Sequence, residues 1–286
     1  MTSFYSWLRK YKVVNIFLVI AYYLLVVLPH EQVGIFIAKT LDQPYGRDTY
    51  NLIILVIGLV GLVGYLLPIW RGTKQLESGK NRVWMAFLVS VALIIVSFNM
   101  LLVVNVEIIH FIQYGVLAIL MMPLFENYGD TLFFATVLAV LDEGYQYFVL
   151  APLRTEYFDF NDIIIDLIGA AMGLLLLWIV GVKNEIEGRK WFKTPRFIGF
   201  AAITIGSLIA YLSGTLAIYP SEGDVQAPIL LIRKIQESFW TIIHPNVKFH
   251  VVRPLEGLII LGMLFYFYAE IVFGKPLRLK TSPTTS

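Results

Sequence analysis

The chain has 286 residues, of which 58% are hydrophobic and only 15% charged, and its mean hydropathy is +0.74. A soluble domain carries about 25% charged residues, so much of this apolar surface must face something other than water. A net charge of +2 gives no basic field for nucleic acid, and the lack of cysteine excludes disulfides, thiolate catalysis and cysteine-ligated zinc.

A membrane-spanning helix needs about 20 mostly apolar residues. The sequence offers eight such segments, at 13–29, 51–69, 83–104, 106–125, 131–150, 162–182, 197–219 and 254–274, and none has Lys or Arg in its middle. This predicts an all-α, polytopic transmembrane bundle of about eight spans. The run after Arg9, Lys10 and Lys12 has no obvious small-residue cleavage site and reads as a retained first helix rather than a signal peptide. Loops on the side of the N-terminus hold 15 of the 22 Lys and Arg, and those on the other side hold 7. The positive-inside bias therefore predicts a plasma-membrane protein with both termini cytoplasmic. The turn at 126–130 departs from the bias, carrying Glu126 and Asp130 and no cation.

Segment 228–243 is too polar to span. Ile229, Ile232, Ile235, Phe239 and Ile242 recur at helical spacing opposite Arg233, Lys234, Glu237 and Thr241, which predicts an amphipathic helix lying in the outer interface. The tail after Lys280, TSPTTS, reads as disordered. The GLVGLVG run at 58–64 reads as a helix-packing surface, since it lies in an apolar span and lacks a Walker lysine.

Acidic groups within spans are expensive, by roughly 2.5 to 3.5 kcal/mol at a helix centre, and are functional-site candidates by default. The fourth span carries Glu107 and His110, the fifth Asp142, Glu143 and Gln146, and the sixth Asp162 and Asp166; Arg154, Glu156 and Asp159 lie between the last two. Their depths agree. Counted at 1.5 Å per residue, His110 sits one turn below the outer surface, Glu143 about two turns and Asp166 about one. Spacings of three and four place Glu107 with His110, and Glu143 with Gln146, on shared faces. Asp162, Asp166, Gly169 and Gly173 form one stripe, whose GxxxG pattern lets a second helix approach closely. The carboxylates are thus expected to point into the bundle.

Residues 107–173 read E-x-x-H-F-x-x-Y, then L-D-E-x-x-Q, then P-x-R-x-x-x-F-D-x-x-D-x-x-x-D-x-x-G-x-x-x-G. The pattern resembles the VanZ-like family of bacterial membrane proteins at Glu107, His110, Phe111, Tyr114, Asp142, Glu143, Gln146, Pro152, Arg154, Asp159, Asp162, Asp166, Gly169 and Gly173. Many members carry an Asp-Lys pair ahead of the histidine, where this chain has Val106 and Glu107. The resemblance covers roughly 84–182, dividing the chain into two N-terminal helices (1–83), a four-helix core (84–182) and two C-terminal helices with the interfacial segment (183–286). The family's founding member is linked to teicoplanin resistance, which implies a role in the cell envelope.

The expected function is binding or processing of an anionic lipid headgroup or cell-wall precursor at the outer leaflet. Glu143, His110 and Asp166 are the candidate acid–base groups. Arg154, Gln146, Asp159, Asp162, Asp142, Glu107 and Tyr114 are the candidate binding groups. No HExxH or similarly tight ligand spacing is present, so neither a metal nor a cofactor is expected; membrane lipids are the expected partners. A proton- or cation-coupled transporter and a non-catalytic scaffold are the competing readings.

Overall fold

The computed structural model describes residues 2–37, 39–40, 44, 46–102, 105–150, 156–184, 191–220, 227–235, 238–244 and 247–280. The fold is an all-α polytopic bundle with only short pieces of sheet. Its helices are α1 (Thr2–Lys10), α2 (Lys12–Val27), α3 (His30–Ile37), α4 (Arg47–Lys74), α5 (Lys80–Met100), α6 (Ile109–Phe125), α7 (Tyr128–Tyr145), α8 (Phe160–Ile179), α9 (Pro195–Leu212) and α10 (Pro254–Tyr266). Helix α7 runs on into a π-turn over Gln146–Leu150, and α10 into another over Phe267–Val272. Every expected span falls on one of these helices. Among the described residues, six are long and apolar enough to cross a membrane, or seven if α1 and α2, bent by 105°, count as one; α6 is a shorter apolar helix of 17 residues.

Helix α8 is the axis of the bundle. Every residue of it except Asp162, Met172 and Leu176 is buried, and α4, α5, α6, α7 and α10 all pack on it. Between lipid-facing helices there is no hydrophobic driving force, so close backbone approach and side-chain hydrogen bonds do the packing. The α6–α8 crossing shows this. A Cβ at Gly173 would collide with the Gly115 carbonyl, and one at Gly169 would come within 2.5 Å of the Phe111 carbonyl oxygen. The predicted glycine stripe therefore does face a neighbouring helix. Peripheral helices are apolar outward instead: α9 has no buried residue, and α4 leaves Leu52, Leu59, Val60 and Val63 more than half exposed. Of the three glycines in the GLVGLVG run, a Cβ would meet a neighbour only at Gly58, the Ile108 side chain, and nothing among the described residues within 4 Å at Gly61 and Gly64, although Leu62 packs on the core. Most of that run is thus open surface and not the packing face expected of it.

At the end of the bundle holding the C-terminus of α6, Arg9 and Lys12 converge on Glu126 at 3.3 and 3.2 Å, and Arg196 reaches Asp130 at 3.8 Å and Glu270 at 3.1 Å. The cation-poor turn at 126–130 is thereby explained, because its acids serve cations from three other elements. Glu126 itself closes α6 in a left-handed conformation (φ 54°), donating its backbone N–H to Met122. Nearby, β1 (Leu76–Ser78) pairs with β6 (Arg278–Leu279), and Arg82 donates to the carbonyls of Val272, Lys275 and Pro276.

The expected interfacial helix at 228–243 is not formed. Strand β3 (Ile229–Leu230) runs parallel to β2 (Leu216–Ala217), and β4 (Thr241–His244) pairs with β5 (Val247–Phe249). The periodicity was overridden by partners from outside the segment. The backbone N–H groups of Ile229, Leu231, Ile232 and Arg233 donate to the carbonyls of Thr215, Ala217, Ile218 and Glu156, and β-branched residues suit that extended pairing. Arg154, Pro152 and the tail after Lys280 lie outside the described residues.

Candidate functional site

Because α6, α7 and α8 run alternately with short connections, the start of α6, the end of α7 and the start of α8 meet at one end of the bundle. Asp159 caps α8 by accepting from the Asn161 backbone N–H at 2.9 Å, so Asp162 falls in the first turn and Asp166 one turn deeper. The Gly169–Gly173 crossing sets α6 against α8 one turn further on, which brings His110 onto the same carboxylates.

The centre is a buried pair. His110 Nδ1 lies 3.0 Å from Asp166 Oδ1, and its Nε2 lies 3.9 Å from Asp162 Oδ2. His110 is 2% exposed and Asp166 not at all. The second oxygen of Asp166, Oδ2, is buried with no hydrogen-bond partner among the described residues. From α7, Asp142 Oδ2 accepts the Tyr114 hydroxyl at 3.2 Å, while Gln146 Nε2 donates to both Asp142 Oδ1 and Glu143 Oε1 at 3.1 Å. Gln146 also starts the π-turn that extends α7, a distortion common at functional positions. Asp142, Asp159, Asp162 and Asp166 all bear electrostatically on Glu143, and Glu107 on His110. At the rim, burial pushes the Asp159 carboxyl up to about 7; the neighbouring Asp162 carboxylate adds to this, and the N–H bonds of Asn161 and Asp162 oppose it.

Of the candidates from sequence, His110, Tyr114, Asp142, Glu143, Gln146, Asp159, Asp162 and Asp166 are therefore brought together, with Glu107 beside them. Arg154 lies outside the described residues. Among the described residues, no group of three or more His and carboxylate side chains is arranged to hold a metal ion.

Three contributors were not foreseen. Tyr23 of α2 is within electrostatic reach of Asp142, Asp166 and Glu143, with its hydroxyl donating to the Leu138 carbonyl at 2.9 Å. Asn161 ties the rim to the C-terminal region, donating to the carbonyls of Leu101 and His250 and accepting from the Val252 N–H. Arg233 lies over the Tyr147 ring, 4.0 Å from its centroid, immediately beside Gln146. His250 also lies at this end, and both its ring nitrogens face acceptors, the Phe239 carbonyl at 2.8 Å and Glu256 at 3.4 Å.

A bundle of apolar helices that buries carboxylates, a histidine and an amide at one end is a polytopic membrane protein with a polar intramembrane centre. The VanZ/LLP1 family model matches residues 12–181, and the chain belongs to that family. The match starts at residue 12, well before the expected core at 84. Helix α2 supplies the reason: Tyr22 donates to the Gln113 carbonyl at 3.0 Å, and Tyr23 reaches the carboxylate cluster. No curated protein and no solved structure matches the chain.

Proposed function

We propose that the protein binds and processes an anionic lipid headgroup or lipid-linked cell-wall precursor at the outer leaflet of the plasma membrane, with both termini cytoplasmic. The observation that carries this reading is the half-satisfied Asp166. One oxygen holds His110 and the other is buried without a partner among the described residues. A buried acceptor left unpaired costs about 1–3 kcal/mol, and more when charged, so its retention calls for an explanation such as a ligand or a proton.

In this arrangement Asp166 fixes the imidazole through Nδ1 and leaves Nε2 facing the rim, where Asp162 also stands. An imidazole so held is suited to accept a proton from a hydroxyl or water and to return it. Glu143, placed by Gln146, is the second acid–base group. The Asp142–Tyr114 bond fixes the wall between them.

The test compares lipid headgroups and lipid-linked precursors, by mass spectrometry, from cells lacking the chain, cells expressing it, and cells expressing Glu143→Gln at equal abundance. A headgroup change present only with the unaltered chain is expected, together with a change in glycopeptide susceptibility. Identical profiles in all three would overturn the proposal. The cluster of carboxylates around His110, at Asp142, Glu143, Asp159, Asp162 and Asp166, also favours a second reading, cation- or proton-coupled transport. Substrate-dependent proton uptake in proteoliposomes would select it.

A further inference from the structure

The acid-rich centre is a poor anchor for an anion, so the negative part of a ligand needs another seat. The described parts of 227–253, at 227–235, 238–244 and 247–253, lie beyond the family-matched stretch and roof this end of the bundle. Tyr157 bridges to Ile232, Phe158 donates to the Leu231 carbonyl at 2.8 Å, and Tyr147 donates to the Leu230 carbonyl at 2.8 Å. From the other side the His250 N–H donates to the Met100 carbonyl at 2.6 Å, and Asn161 holds both His250 and Val252. The roof is therefore fastened to the ends of α5, α7 and α8.

Between the roof and the rim lies a cavity of about 310 Å³, whose polar lining is Tyr157, Tyr219, Lys234, Ser238, His250 and Arg253. Among the described residues, no carboxylate lines it. Glu156 pairs with Lys234 at 3.0 Å and Glu256 with His250 at 3.4 Å, both from outside the lining. Lys234 and Arg253 bring cationic N–H donors, and the two tyrosines and the serine bring hydroxyls. Burial, reinforced by Asp159 and Asp162, pushes the Tyr157 hydroxyl up, so it remains a donor. An excess of cationic and hydroxyl donors over acceptors is the chemistry of a phosphate or carboxylate seat, with the Arg253 fork suited to either and Lys234 shared with Glu156. The volume admits a headgroup and not acyl chains. Tyr157 stands in both places, lining the cavity and sensing Asp159, Asp162 and Glu107.

We infer that this roof cavity is an anion subsite, in which Arg253 and Lys234 seat a phosphate-type group while the rest of the same ligand reaches past Tyr157 to His110 and Asp166. The inference rests on the proposed headgroup reading and adds its substrate class: a headgroup with an anionic phosphate on one side and a neutral or cationic portion, bearing hydroxyl or amine, on the other. A cationic or neutral portion is what the carboxylate-rich centre accepts.

The test is calorimetric titration of the full-length protein in phosphatidylcholine nanodiscs with two probes, dihexanoyl phosphatidylglycerol and inorganic phosphate. Arg253→Gln with Lys234→Gln should weaken binding about ten-fold or more, in keeping with the loss of charge-assisted bonds. Arg253→Lys should recover part of it. Lys183→Gln, at the opposite end of the bundle, should change nothing. Preference for the phospholipid assigns a lipid headgroup to the subsite, and equal affinity for inorganic phosphate assigns a free anion; both support it. Unchanged binding in the double variant, or no binding of either probe to the unaltered chain, overturns it. Failure of the headgroup reading is read separately, as an unchanged cellular lipid profile despite intact anion binding.

Discussion

Replacing His110 by alanine isolates the pair at the centre of the bundle. Asp166 is fully buried, its Oδ2 has no partner among the described residues, and its Oδ1 has His110 at 3.0 Å. Removing the imidazole therefore strands a carboxyl group on an axial helix with nothing to replace the lost bond. Breaking a buried pair from one side costs about 3–5 kcal/mol, and the vacated side-chain volume adds to the cost. The double variant His110→Gln with Asp166→Asn instead leaves two neutral amides of similar size that can bond to each other. It should be less destabilised than His110→Ala, with a coupling energy of about 1–3 kcal/mol. The assay is reversible unfolding of the purified protein in mild detergent under titration with a denaturing detergent, with helicity and tryptophan fluorescence as probes. A cost below about 1 kcal/mol for His110→Ala, or strict additivity in the double variant, refutes the argument that the pair is interdependent.

Gly173→Ala places a methyl group against the Gly115 backbone carbonyl, and backbone cannot swing aside; a loss of about 1–3 kcal/mol is expected, measured in the same unfolding assay. Gly64→Ala, where a Cβ meets nothing within 4 Å, should be neutral or slightly stabilising in the same helical setting. Asp159→Asn keeps a good N-cap oxygen and removes a carboxyl whose pKa is raised to about 7 in the folded protein. A raised acid makes the folded state hold its proton longer than the unfolded chain does, so this group weakens stability progressively as pH climbs from about 4 to about 7. The variant should match the unaltered chain near pH 4, exceed it at pH 8, and show a flatter stability–pH curve by thermal unfolding; equal slopes would contradict this.

What the sequence made legible followed from rules that act locally. Cations excluded from apolar runs marked the spans, and spacings of three and four put Glu143 with Gln146 and lined Asp166 up with Gly169 and Gly173. These held because a helix fixes its own side-chain directions whatever its neighbours do. What was not legible depended on distant partners. Ile229 to Ile242 carried helical periodicity, yet Thr215, Ala217, Ile218 and Glu156 supplied the carbonyls that made the segment extended. Tyr23 looked like one more aromatic in an apolar span, and only the packing of α2 brings it to Asp142. Asn161, next to the capping Asp159, gave no sign that it would fasten the roof to α8. The glycines at 61 and 64 show the converse error, a packing motif in sequence with no partner opposite it.

The proposed role of the buried polar cluster is to act on a ligand and not merely to hold helices together. Glu143→Gln addresses it most directly, because the substitution keeps the side chain's size and its capacity to bond Gln146 while removing its acid–base capacity. Membrane abundance and thermal stability should match those of the unaltered chain, and the effect on envelope lipids and glycopeptide susceptibility should disappear. Full retention of that effect at normal abundance would contradict the claim and leave the carboxylates as structural groups.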